Sequence, residues 1–193
     1  MEEDIKMAET VMLVDASFLN FVTEDIKKNF ERMLNRELQE IDLSHLFTYI
    51  ALDAGISEGK NEMQIFFIYD ADSSHLVHTQ PSDLTSELNN VAFSNEFGEF
   101  CFNTFQPENM ASREELYLES LKVLVDTEEV KRVIVLSFNE QYGEKVHKIL
   151  KKVEEKELVQ FRMNEPEYET SYRWEMLAYP LMQALGIRGD ELQ

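Results

Sequence analysis

The sequence predicts an α/β fold: a three-layer α/β/α sandwich around a mostly parallel sheet of about five strands. Three observations predict it. Short apolar runs alternate along the chain with longer segments of helical periodicity, the pattern of βαβ units. The runs are almost continuously apolar, as in Val11-Met12-Leu13-Val14 and Val133-Ile134-Val135-Leu136, which is how strands covered on both faces read. The 193 residues are 44% hydrophobic with 6 Gly and 4 Pro, enough for one full core with few interruptions. Crossovers between the parallel strands are expected to be right-handed.

The elements follow in order. The first strand ends on Asp15, and its apolar character continues through Ala16-Ser17-Phe18-Leu19. Thr23 can cap a helix whose apolar positions are Ile26, Phe30, Met33, Leu34 and Leu38. Asp42 or Ser44 starts a second helix, with Leu43, Leu46, Phe47, Ile50 and Ala51 at helical spacing and Gly55 as its stop. Residues 63–69 form a strand ending at Asp70. Two helical turns over 82–90 lead into a strand over 99–105, where Phe100, Phe102 and Thr104 alternate. Ser112 opens a helix through Leu116, Leu121, Leu124 and Val125. The strand over 133–137 follows, then a helix over 141–153 and a strand over 158–163. A last helix carries Tyr172, Trp174, Met176, Leu177, Leu181 and Leu185 and stops at Gly186. Together these make a single domain over 10–187, with an acidic N-terminal extension at 1–9 and a tail at 188–193.

Composition narrows the function classes. The net charge is −20, from 38 acidic and 18 basic residues. Such a surface repels phosphate backbones within about 8–10 Å, and nucleic-acid binders carry a basic footprint. RNA is therefore a disfavoured partner and a protein partner the expected one. The basic cluster Lys145, His147, Lys148, Lys151 and Lys152 runs directly into Glu154, Glu155 and Glu157, as on a solvated helix face. The lone Cys101 fits a reducing compartment, and no run reaches the roughly 20 apolar residues of a membrane span. Met1-Glu2-Glu3-Asp4 lacks the basic start of a secretory signal, so a cytoplasmic location is expected.

Several features have ordinary explanations. Cys101, between Phe100 and Phe102, reads as core, and the aromatics at 97, 100, 102 and 105 as sheet packing. His75 and His78 have no cysteine nearby and do not make a zinc site. Tyr168, Tyr172, Trp174 and Tyr179 form an aromatic group that can face a partner in part. There is no phosphate-binding glycine loop, no nucleophile elbow and no cysteine pair.

The residues that can carry chemistry are acids at strand ends. Hydrolysis of phosphodiesters by Mg²⁺ or Mn²⁺ needs about three or four carboxylates converging from different strands. Asp15, Asp70, Glu115 (or Glu114) and Glu140 are the candidates, with Asp72 close to Asp70. Each has a structural explanation too. Asp15 can cap a turn, and Asp70 and Asp72 flank a polar loop. Ser112-Arg113-Glu114-Glu115 has the form of a capping box. Asn139 is a good N-cap, and Glu140 suits the first turn of a helix.

Val14-Asp15-Ala16-Ser17-Phe18-Leu19 resembles the opening motif of PIN-like domains, in which the aspartate binds metal and the following Ser or Thr supports it. Ile68-Tyr69-Asp70-Ala71 resembles the second strand end of the NYN branch of that superfamily. Val135-Leu136-Ser137-Phe138-Asn139-Glu140-Gln141-Tyr142 resembles the hallmark after strand four: Ser, small residue, Asp, any residue, Asp, aromatic. The family also places an acid on the preceding helix, where Glu115 stands at the matching distance. The resemblance covers roughly residues 10–165 and implies the catalytic set Asp15, Glu115 and Glu140. It implies a metal held by these and Asn139, with Ser17, Asp70 and Ser137 supporting.

The departures bear on function. Asn139 and Gln141 stand where the hallmark has aspartates, and Glu140 is one residue early, about 100° around a helix. Mg²⁺ sheds water only for well-placed charge, so this metal site is weakened. The expectation is a non-catalytic PIN-like binding or assembly protein. A Mg²⁺- or Mn²⁺-dependent ribonuclease is the alternative, and a small-ligand-binding α/β domain the third reading.

Overall fold

The computed structural model describes residues 6–193. Its centre is β1 (Thr10–Asp15), buried at every position. β1 pairs in parallel with β3 (Asn61–Ile68) on one side and with β7 (Arg132–Leu136) on the other. Outside β3 lie β6 (Gly98–Phe105), parallel, and β5 (Val91–Asn95), antiparallel to β6. Outside β7 lie β8 (Glu157–Arg162) and β9 (Arg173–Met176), both parallel. The sheet is thus seven-stranded and mostly parallel, in the order β5-β6-β3-β1-β7-β8-β9. The short β2 (Ile41–Asp42) and β4 (Thr79–Gln80) pair separately. The α-helices are α1 (Ala16–Leu34), α2 (Leu43–Asp53), α3 (Arg113–Asp126), α4 (Asn139–Leu150) and α5 (Ala178–Ala184).

An α/β chain with a large parallel sheet is what the apolar runs predict, but the expected strand count of about five is low by two. β5 is short and largely exposed, and only Phe93, stacked on Phe100, ties it to the core, so its sequence gives little strand signal. β9 lies where the last helix was expected to begin. Tyr172, Trp174 and Met176 are two apart, a strand period, and the 3.6-residue period starts only at Leu177. Residues 82–90 form turns and a bend, not helical turns. The first helix starts at Ala16, not after Thr23. The Asp15 carboxylate accepts from the Ser17 and Phe18 amides and so caps α1 with no loop after the strand.

One continuous core joins the elements. Phe18, Phe47, Phe67, Phe100, Tyr117 and Phe161 are its largest fully buried side chains. Phe47 of α2 meets Phe67 and Phe102 edge-on, which clamps that helix to β3 and β6. Part of the expected extension is held by β3: Gln64 donates to the Lys6 carbonyl and accepts from the Ala8 amide. Residues 1–5 lie outside the described residues. The tail is also anchored, since Glu191 accepts two hydrogen bonds from Arg36 just past α1. Among the described residues no helix is long and apolar enough to cross a membrane.

The β8–β9 connection is unusual for parallel strands because it contains no helix. It is held instead by aromatic contacts. Tyr168 packs on the His147 ring at 4.0 Å between centroids, and the Tyr172 hydroxyl lies 2.6 Å from His147 Nδ1. Burial, with Lys151 and Arg162 adding to it, holds the His147 imidazole below its ordinary value.

Candidate functional site

The sheet order makes β3, β1 and β7 neighbours, so their carboxyl ends converge. Asp70 follows β3, Asp15 ends β1, and Ser137 and Asn139 follow β7. In open α/β sheets this end is where ligands bind.

Asp15 is the centre of the site and has no solvent exposure. Its Oδ1 accepts from the Ser17 amide at 2.9 Å and the Phe18 amide at 3.2 Å. Its Oδ2 accepts from the Tyr142 hydroxyl. Arg113 Nε lies 3.0 Å from Oδ1 and 3.1 Å from Oδ2. The same guanidinium donates through Nη1 to Asp70 Oδ2, and through Nη2 to Gln141 Oε1 at 2.7 Å. Arg113 therefore joins both strand-end aspartates to the helix after β7. Its side chain is only 13% exposed, so these are contacts in a low-dielectric setting.

Local sequence explains the placement. Ser112 caps α3 by accepting from the Glu115 amide at 3.1 Å, and Arg113 is the first helical residue, aimed at the end of β1. A Ser112→Ala change should cost about 1 kcal/mol, the usual worth of such a cap, read as a shift in the urea midpoint at unchanged slope. Tyr142 reaches Asp15 from α4, where its backbone is non-helical at φ −147° and ψ 24°. Burial, reinforced by the neighbouring Asp15 charge, pushes its phenol far above the ordinary value and keeps it a donor. Beneath it, the Tyr117 hydroxyl donates to the Leu13 carbonyl at 3.0 Å.

The charges answer to these surroundings. Burial pushes the Asp15 carboxyl up, against the lowering pull of Tyr142, Arg113 and the Phe18 amide. At Asp70 burial acts in the same upward sense, but the Ser73 hydroxyl and Arg113 outweigh it and the carboxyl falls below its ordinary value. Asp70 also caps the 3-10 turn Ala71–Ser73, accepting from the Asp72 amide and, at 2.8 Å, from Ser73 Oγ.

A second network lies beside the first. Ser137 Oγ donates to Asn139 Oδ1 at 2.7 Å, and Gln160 Nε2 donates to the same oxygen at 3.3 Å. Arg162 Nη1 donates to Gln160 Oε1 at 3.2 Å. Gly143 sits over Asn139, where an added Cβ would stand 3.0 Å from the Asn139 Cβ. Of these, Asn139, Gly143 and Arg162 line a cavity of about 320 Å³ whose wall also includes Phe18, Glu140, Glu165 and Tyr168.

The sequence-predicted residues thus separate into two groups. Asp15 and Asp70 are joined through Arg113, and Ser137 and Asn139 bond to one another. Ser17 contributes its backbone amide. Glu115 and Glu140 are exposed on the first turns of α3 and α4 and take no part in either network; Glu114 pairs with Lys145 at 2.8 Å. Among the described residues no three His, Cys, Asp or Glu side chains are grouped so as to hold a metal ion. Sequence reasoning missed Arg113, Gln160 and Arg162. The pattern of carboxylates does not point to Arg113, although it directly precedes Glu114, and Tyr142 stands out in the sequence only as the aromatic of the hallmark.

A family described as "Family of unknown function (DUF6621)" matches residues 4–192, and the chain belongs to it. No curated protein and no solved structure matches the chain.

Proposed function

We propose that this family member is a non-catalytic binding or assembly module on a PIN-like, three-layer α/β/α fold, in which an internal guanidinium stands in for the metal ion. The observation that carries the reading is Arg113, bonded at once to Asp15, Asp70 and Gln141. In support of the PIN-like assignment, the three strand ends bearing its motifs are adjacent in the sheet.

The donor set does not fit Mg²⁺ or Mn²⁺. Both Asp15 oxygens already accept from two amides, a phenol and a guanidinium. Asp70 is committed to Arg113 and to its own turn, and Asn139 Oδ1 accepts twice. A dication entering here would meet a cation that is itself held: Asp15 and Asp70 push the Arg113 guanidinium above its ordinary value, against the lowering effect of burial. With a net charge of −20, a protein partner suits the surface better than RNA. A cytoplasmic setting accords with the lone Cys101.

Calorimetric titration of Mn²⁺ into the full chain tests the reading. No saturable binding is expected up to about 1 mM, since a site worth less than about 4 kcal/mol would not fill there. Saturable binding that disappears in Asp15→Asn would overturn it and favour the metal-dependent ribonuclease.

A further inference from the structure

We propose that the groove between α3 and α4 docks an acidic amphipathic helix of a partner protein. The groove has a volume of about 450 Å³ and lies away from the Arg113 network. Its floor is apolar: Leu118 and Val125 from α3, with Ile149 and Val153 from the end of α4 and just beyond. All four are half-buried and pack against the core from outside, so each still shows apolar surface to solvent.

Its rim is basic. Lys145, Lys148 and Ile149 recur at i, i+3 and i+4, which places them on one face of α4; Lys152 follows in the turn past its end, and Lys122 stands opposite on α3. Asp126 is the one acid among the lining residues. Lys145 is paired with Glu114, whereas Lys122, Lys148 and Lys152 form no ion pair among the described residues. The chain has 18 basic residues against 38 acidic ones, so four lysines along one groove are a local reversal of sign.

An apolar floor between charged walls is the receptor half of helix-in-groove recognition. The complementary ligand presents apolar side chains at i, i+3, i+4 and i+7 and carboxylates on its flanks. RNA fits less well. Phosphates would meet the lysines, but the aliphatic floor offers no aromatic ring for a base to stack on. The overall negative field opposes an acidic ligand at range, yet it is screened beyond about 8 Å at physiological salt, while the lysines act at contact. A short segment is favoured for the same reason over a large acidic surface.

Fluorescence anisotropy with the full chain tests the proposal. The probe is a labelled peptide of about 18 residues, long enough to form helix, with Leu at the i, i+3, i+4, i+7 positions and Glu on the flanks. Controls carry Ser in place of Leu, or Lys in place of Glu, and a labelled oligo(U) is run alongside. Saturable binding of the Leu/Glu peptide alone is expected, weakened about tenfold or more by Lys148→Glu with Lys152→Glu. Both lysines are exposed, so the variant should keep the parent circular dichroism spectrum. Equal binding of the Ser peptide or of oligo(U), no binding of the Leu/Glu peptide, or binding indifferent to the charge reversal would overturn the proposal. So would a dimer in sedimentation that the same reversal dissociates, since a second copy would then own the groove. None of these readouts involves Arg113, so this test and the Mn²⁺ titration fail independently.

Discussion

Replacing Arg113 with alanine is expected to destabilise the protein by about 3–5 kcal/mol, the range for removing one partner of a buried ion pair. The loss is large because Asp15 keeps no solvent exposure and would retain a buried charge with only the Ser17 and Phe18 amides and the Tyr142 hydroxyl to hold it. Asp70 and Gln141 would lose the same donor. Urea unfolding followed by circular dichroism measures the effect.

The pH dependence gives a second reading of the same change. In the native protein Asp70 is held below its ordinary value, so its contribution is full above the unfolded value and is lost as pH falls through the folded one. Asp15 is held above, so its contribution is full below the unfolded value and is lost as pH rises through the folded one. Without Arg113 both carboxyls move up. The deficit of the variant should then be greatest near about pH 7 and shrink toward about pH 4, where protonation removes the orphan charge. A deficit under about 1 kcal/mol, or one equal at both pH values, would show that the guanidinium is not the keystone of the site.

Gly98→Ala is expected to cost about 3 kcal/mol or more, through backbone rather than charge. Gly98 opens β6 at φ +127°, and an added Cβ would stand 2.0 Å from the Asn61 carbonyl oxygen and 2.7 Å from the Asn61 nitrogen. Asn61 is its partner in the β3–β6 register and also donates to the Phe97 carbonyl at 2.8 Å. Neither backbone can yield without separating the β5–β6 hairpin from the sheet. In a chain of this size the cost corresponds to a fall in Tm of roughly 6–12 °C. Gly189→Ala is the control: nothing lies within 4 Å of its added Cβ, and a change under about 0.5 kcal/mol is expected.

The apolar runs announced the central strands because burial on both faces leaves a continuous hydrophobic signature, as in β1 and β7. The acids and small polar residues at their ends marked the convergence of Asp15, Asp70 and Ser137. Arg113 was not legible in the same way. Its role depends on a contact with a residue 98 positions away, and nothing local distinguishes it from an ordinary first-turn arginine. The edge strands β5 and β9 were obscured for a different reason. An edge strand needs only one hydrogen-bonded neighbour and little apolar area, so its sequence is free to read as loop or helix.

The position of β1 has a consequence for how the chain is made. Thr10 pairs with Met63 on one side and with Arg132 on the other. At about 5–20 residues per second of synthesis, several seconds separate the appearance of those two neighbours. During that interval one flank of the central, fully buried strand has no partner. Truncated products ending before β7 should therefore be more aggregation-prone than the full chain, read as the insoluble fraction on expression.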